Sequence, residues 1–124
     1  MSEIPTDLTE IIIGAAIAVH RELGPGLLES AYEACLVYEL SERRLKVDRQ
    51  RLLPVSYRGI RIDCGYRIDL LVEDQVIVEL KAVEQVLPIH EAQLLSYVKL
   101  SGCKVGLLIN FKVKLLKEGI RRFV

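Results

Sequence analysis

The chemical interest of the chain centres on Asp69, Glu79 and Lys81, which lie in Tyr66-Arg67-Ile68-Asp69-Leu70-Leu71-Val72 and Val76-Ile77-Val78-Glu79-Leu80-Lys81-Ala82-Val83. Both stretches read as strands, with Glu73-Asp74-Gln75 as the turn of a hairpin. Glu79 and Lys81 stand two apart, so they share one face of their strand. With a three-residue loop, Val72 pairs with Val76 and Asp69 falls opposite Glu79. One face then carries Arg67, Asp69, Leu71, Ile77, Glu79 and Lys81. The other carries only Ile68, Leu70, Val72, Val76, Val78 and Leu80. A two-residue turn at Asp74-Gln75 would set Leu70 opposite Glu79 and bury charge among aliphatics, because a slip of one residue swaps every face.

Facing carboxylates repel one another unless a proton or a cation intervenes. Hard Mg²⁺ is one solution: it takes oxygen ligands, keeps several waters, and is held by one or two carboxylates. Asp69 and Glu79 supply those, and the carbonyl of Leu80 is a further ligand in reach. Lys81 then stands beside metal-bound water and a substrate phosphate. The same charges also have a simpler account, in which Arg67 and Lys81 neutralise Asp69 and Glu79 on a solvated outer face.

The elements around the hairpin follow from periodicity. Leu8, Ile11, Ile12, Ala15, Ala16, Val19 and Leu23 form one helical stripe, which Gly24-Pro25-Gly26 must end. A second helix restarts near Leu27, with Leu28, Ala31, Tyr32, Cys35, Leu36 and Leu40 on one face, and stops at Ser41-Glu42-Arg43-Arg44. At its start Glu29 and Tyr32, three apart, share a face in the pattern Gly26-x-x-Glu29-x-x-Tyr32. From Val47 the period changes to two, through Leu53, Val55 and Tyr57, with a turn at Arg58-Gly59, a short return strand at Ile60 and Ile62, and a bulge permitted at Gly65. Pro88 suits the first turn of a helix running to about Ser101, which Gly102 ends. Lys104 to Asn110 is a last apolar strand, and the tail from Phe111 to Val124 suits either a short helix or an edge strand. This order predicts an α/β domain with a mixed sheet, an antiparallel meander plus one parallel strand, flanked by helices.

Composition sets the outer limits. The chain has 124 residues, enough for one core, so residues 1–124 are expected to form a single domain. Hydrophobic residues make up 51% and charged residues 27%, which excludes a disordered chain. Seventeen Lys and Arg balance seventeen Asp and Glu, so no global field attracts a polyanion and any phosphate site must be local. Three cysteines without a Cys-x-x-Cys pair argue against a disulfide framework or thiolate zinc, and read as small buried residues in a reducing compartment. The apolar stretch from Ile11 to Val19 is too short for a membrane span and follows no basic leader. A cytoplasmic protein with no membrane partner is the expectation.

Taken together, Gly26-x-x-Glu29-x-x-Tyr32, the strand around Asp69, Val78-Glu79-Leu80-Lys81-Ala82 and Gln93-x-x-x-Tyr97 closely resemble the GxxExxY family, over nearly the whole chain and in the same order. That family looks like a minimal branch of the PD-(D/E)XK nuclease superfamily. The resemblance implies a restriction-endonuclease-like core of helix, three-stranded meander, helix and strand. It implies that Asp69 and Glu79 bind the metal, Mg²⁺ or Mn²⁺, and that Lys81 orients water or stabilises charge on the phosphate. By the same resemblance Glu29 would be the additional acid of the first core helix, acting through water or at a second metal. Gln93 would hold water or substrate, and Tyr97, one turn further on, either faces the same cleft or packs in the core. The proline that nominally precedes the aspartate is Ile68 here.

The function so implied is metal-dependent hydrolysis of phosphodiester bonds in nucleic acid, DNA before RNA. Arg67, Lys99, Lys112, Lys114, Lys117, Arg121 and Arg122 are candidates for backbone contacts, and His20 and His90 are available but unneeded bases. The alternative is a nuclease-fold module that binds nucleic acid or protein with little or no catalysis. A second alternative is a homodimeric interaction protein whose apolar tail residues Val113, Leu115, Leu116, Ile120 and Phe123 form the partner surface.

Overall fold

The computed structural model describes residues 6–124. Two helices, α1 (Thr6–Leu23) and α2 (Glu29–Glu42), precede β1 (Val47–Leu52), β2 (Val55–Tyr57), β3 (Ile60–Ile62), β4 (Arg67–Val72) and β5 (Val76–Lys81). Helix α3 (Pro88–Ser101), β6 (Val105–Asn110), a 3-10 turn (Leu116–Gly119) and β7 (Ile120–Phe123) complete the chain. Five strands form one sheet in the order β1-β4-β5-β6-β7, while β2 and β3 pair only with each other. All neighbours in the large sheet are antiparallel except β5 and β6, which are joined through α3 and run parallel with Lys81 beside Asn110.

Both faces of this sheet are covered, which explains why β6 is buried along its full length and reads as an unbroken apolar run. On one face α1 and α2 pack over Leu70, Val72, Val76, Val78, Leu80, Leu107 and Ile109. Ala15 and Ala16 of α1 are fully buried in that layer. On the other face Leu94 and Tyr97 of α3 cover Leu71, Ile77 and Leu108. The hairpin face expected to be a largely polar outer face is therefore an interior one: Ile77 is fully buried and Glu79 is only 5% exposed. Ile68, Leu71, Ile77 and Leu108 on the strands of that face, with Phe123 at its edge, are enough to recruit a helix.

The tail resolves into the 3-10 turn and an edge strand, β7. Its apolar residues turn inward. Leu116 is buried, Val113 and Ile120 pack on the first core, and Phe123 packs on the second. The partner surface expected there reduces to Leu115, 53% exposed, because closing the fifth strand consumes the rest. His20 is likewise structural, its Nε2 lying 2.8 Å from the Val113 carbonyl oxygen and tying α1 to the tail. Among the described residues no helix is long and apolar enough to cross a membrane.

Helix α2 begins at Glu29, two residues later than the spacing suggested, because the Gly24-to-Leu28 turn is held open by Tyr32. The Tyr32 hydroxyl donates to the Gly24 carbonyl (2.5 Å) and accepts from the Leu27 N–H (3.0 Å), while its ring stacks on Phe111 at 4.3 Å. The tyrosine of the Gly-x-x-Glu-x-x-Tyr pattern thus fixes the turn that presents Glu29. Tyr32→Phe keeps the stack and removes both hydrogen bonds. The expected result is a loss of about 1–3 kcal/mol in urea unfolding, with faster amide exchange at Leu27 as the local sign.

Candidate active site

The β4–β5 ladder pairs Val72 with Val76, Leu71 with Ile77 and Leu70 with Val78, the register expected of a three-residue loop. At the next step, where Asp69 meets Glu79, side chains replace the backbone rungs. The Asp69 N–H donates to Glu79 Oε2 (2.8 Å), and the Leu80 N–H donates to Asp69 Oδ2 (2.9 Å). Each carboxylate thereby satisfies a backbone donor that the parting strands would otherwise leave unpaired, and the two acids are held against one another.

The neighbouring strand is distorted at the same level. Ladder pairing of β1 with β4 skips the Gln50–Asp69 position, and Gln50 has φ 50°, an uncommon conformation for a residue other than glycine. Its side-chain amide donates to Glu33 Oε1 (2.8 Å) and, at 3.4 Å, approaches Asp69 Oδ1. The alternation of faces slips here. Ile68 packs with Leu71 and Ile77 under α3, not with Leu70, so the wholly apolar face read from period two loses Ile68 to the other side.

Burial pushes the Glu79 carboxyl up to about 8, and the adjacent Asp69 carboxylate and Glu29 add to the shift against the opposing Asp69 N–H and Lys81 ammonium. Asp69 is raised as well, first by burial and then by Glu33, while the Leu80 N–H, Gln50 and Lys81 pull it down. At neutral pH the pair therefore retains a proton, or takes a cation in its place. The Tyr97 hydroxyl is raised by burial and by Glu79, which places it within electrostatic reach of the same acid.

One cleft opens onto Asp69 and a second onto Lys81. The one on the α2 side, about 180 Å³, is lined by Glu29, Ser30, Glu33, Gln50, Asp69 and Leu80. The one on the α3 side, about 550 Å³, is lined by Lys81, Gln93, Tyr97, Tyr66, His90, Ser96 and the apolar Val55, Ile89 and Leu100. The structure thus brings Asp69 and Glu79 into contact, sets Glu29 and Leu80 in the cleft of Asp69, and puts Lys81 and Gln93 together in the other. Tyr97 meets both expectations, being 6% exposed in the second core and also part of the cleft wall. His90 caps α3, with its Nδ1 accepting from the Leu87 N–H (3.0 Å).

Three residues that spacing did not single out support the site. Glu33 lies one turn after Glu29 on the same face of α2, a signal legible in the sequence. Gln50 carried none, since a polar residue in an exposed strand is ordinary. Asn110 clamps the chain after Lys81, its side chain accepting from the Val83 N–H (3.0 Å) and donating to the Val83 carbonyl (2.9 Å). Of the basic residues considered for backbone contacts, Lys112 pairs with Glu84, Arg121 with Glu91, and Arg67 donates to the Gln50 carbonyl.

The donor set fits a hard divalent cation. Both acids offer oxygen only, and one oxygen of each is not engaged by a backbone N–H. Among the described residues no group of three or more Asp, Glu, His or Cys side chains is arranged to hold an ion. A cation here would be held by two carboxylates and complete its shell with water and backbone carbonyl, which is how Mg²⁺ usually binds.

Comparison with curated proteins and with solved structures returned no match. A family model describing the PD-(D/E)XK nuclease superfamily matches residues 6–123, nearly the whole chain. With its paired acids on a parting hairpin, lysine two residues on, and mixed sheet between helices, the chain belongs to the PD-(D/E)XK nuclease superfamily.

Proposed function

We propose that the protein hydrolyses phosphodiester bonds of nucleic acid, DNA ahead of RNA, with Mg²⁺ or Mn²⁺, as a member of the GxxExxY branch. The observation that carries this reading is the reciprocal clasp of Asp69 and Glu79 across β4 and β5, a buried acid pair whose mutual repulsion calls for a cation. Asp69, Glu79 and the Leu80 carbonyl would hold the metal, with Glu29 reached through water. When bound, the ion supplies Lewis acidity, polarising a phosphoryl oxygen and lowering the pKa of water. Lys81 places positive charge where the attacked phosphate becomes most negative. Gln93 positions water or substrate from α3, and Asn110 and the Phe111 N–H, which donates to the Lys81 carbonyl, keep the lysine's backbone in place. The three cysteines are free but not buried as the sequence suggests, Cys64 being exposed and Cys35 and Cys103 half-buried.

The test is a cleavage panel of labelled single-stranded, duplex and branched DNA and RNA with Mg²⁺ or Mn²⁺. Hydrolysis is expected, falling by about 10²–10³-fold in Lys81→Met and at least as far in Asp69→Asn, with both variants folded. No hydrolysis of any substrate by the folded wild-type chain would overturn the enzymatic reading in favour of a binding module.

A further inference from the structure

The α3-side cleft contains more than hydrolysis requires. Tyr66 and Tyr97 meet at 6.0 Å with their rings inclined by 59°, but their surroundings differ. Tyr97 is 6% exposed and anchored in the second core, whereas Tyr66 is 45% exposed. Tyr66 is also firmly mounted: its carbonyl accepts from the Leu53 N–H (2.8 Å), which continues the β1–β4 register by one rung. A half-exposed aromatic ring at the head of β4, steadied by contact with a second, inclined aromatic, can serve as a stacking platform.

The other walls of the cleft suit a planar, polar-edged ring. Val55 and Ile89 are apolar, and Ile89 is 68% exposed at the rim. Gln93 and Ser96, three apart on α3, bring an amide and a hydroxyl able both to donate and to accept. Lys81 enters the same cleft, so a ring seated there would lie beside the cation that meets the phosphate. The ring platform and the Ser96 hydroxyl have no use in the hydrolytic step itself, and Gln93, which positions water or substrate there, faces the same cleft.

We propose that this cleft receives an unpaired nucleobase, stacked on Tyr66 with its edge toward Gln93 and Ser96, so that the preferred substrate is single-stranded nucleic acid or an unpaired stretch within a larger one. The inference rests on the nuclease reading for the identity of the polymer. In a duplex both faces of each base are occupied by neighbours, and bringing one into a walled cleft requires unstacking that a single strand largely avoids. Stacking on aromatic side chains tolerates any base, and with a chain of zero net charge it replaces the general electrostatic attraction that duplex binding relies on.

The experiment measures the affinity of the full chain, in EDTA so that nothing is cut, for a fluorescent single-stranded oligonucleotide and for its duplex, in DNA and RNA forms. Single strands are expected to bind about tenfold or more tightly than duplex. Tyr66→Leu, which keeps apolar bulk without an aromatic face, is expected to weaken single-strand binding by about 5- to 150-fold, the range of one lost stacking contact. Tyr66→Phe should bind like wild type. A fluorescent base analogue should be quenched on binding to wild type and Tyr66→Phe, not to Tyr66→Leu. Unchanged binding by folded Tyr66→Leu, equal affinity for duplex, or no binding of any oligonucleotide overturns the inference. Cleavage with Mg²⁺ is scored separately: Tyr66-independent binding with cleavage removes the base site alone, and Tyr66-dependent binding without cleavage removes the nuclease reading alone.

Discussion

Glu79→Gln will make the metal-free protein more stable at alkaline pH. The Glu79 carboxyl holds its proton up to about pH 8 in the folded chain, because burial and the neighbouring Asp69 penalise its charge. In the unfolded chain it ionises near its ordinary value of 4.5. Between those two pH values the folded state binds more protons, so folding stability falls as pH rises. The contribution is complete below about pH 4.5, declines through the interval, and is gone above about pH 8. Its full extent is up to about 4–5 kcal/mol, and the raised Asp69 acts in the same direction. Glutamine keeps the shape and a carbonyl oxygen for the Asp69 N–H without ever acquiring charge. Urea unfolding of the two proteins in EDTA should give nearly equal stabilities near pH 4. The variant should gain progressively toward pH 9 while losing hydrolysis. Parallel curves across that range would show that the pair does not store the repulsion described.

That stored repulsion is also why the site was only partly legible in the sequence. Period two in the segments 66–72 and 76–83 was enough to bring Asp69 opposite Glu79, since a three-residue loop leaves one register that keeps charge off the α1–α2 core. The helices, a parallel pairing for the strand after α3 and the order of elements follow from apolar spacing and from Gly102 and the Gly24–Gly26 turn, which are local signals. The parting of the strands was not local. It depends on two side chains taking the place of backbone partners, and on Gln50 adopting a left-handed conformation in a different strand. Nothing in a binary pattern marks such a slip, so period two puts Ile68 on the wrong face. Period also cannot say which face of a sheet a later helix will cover. Leu71 and Ile77, interleaved with charges, looked like an outer surface until α3 packed on them. The tail failed in the opposite sense, its apolar residues looking available to a partner when β6 needed an edge strand for itself.

Metal binding at pH 7 will release close to one proton per chain. With its carboxyl near pH 8, Glu79 is about nine-tenths protonated at pH 7, and a cation that takes two carboxylates must displace that proton. Titration calorimetry with Mg²⁺ or Mn²⁺ in two buffers of different ionisation enthalpy reads the number directly. Toward pH 9 the release should fall to nearly none, and below about pH 8 the apparent affinity should weaken about tenfold for each unit of pH until Asp69 also protonates. The metal therefore stabilises most where the free protein is weakest, so the rise in melting temperature on adding Mg²⁺ should grow from pH 6 to pH 8. In Glu79→Gln the proton release should vanish and the residual affinity should lose its pH slope over that interval. A pH-independent affinity in the wild type would mean that the ion is not held by this pair, and Asp69→Asn then distinguishes the cases, since it removes the other acid without neutralising Glu79.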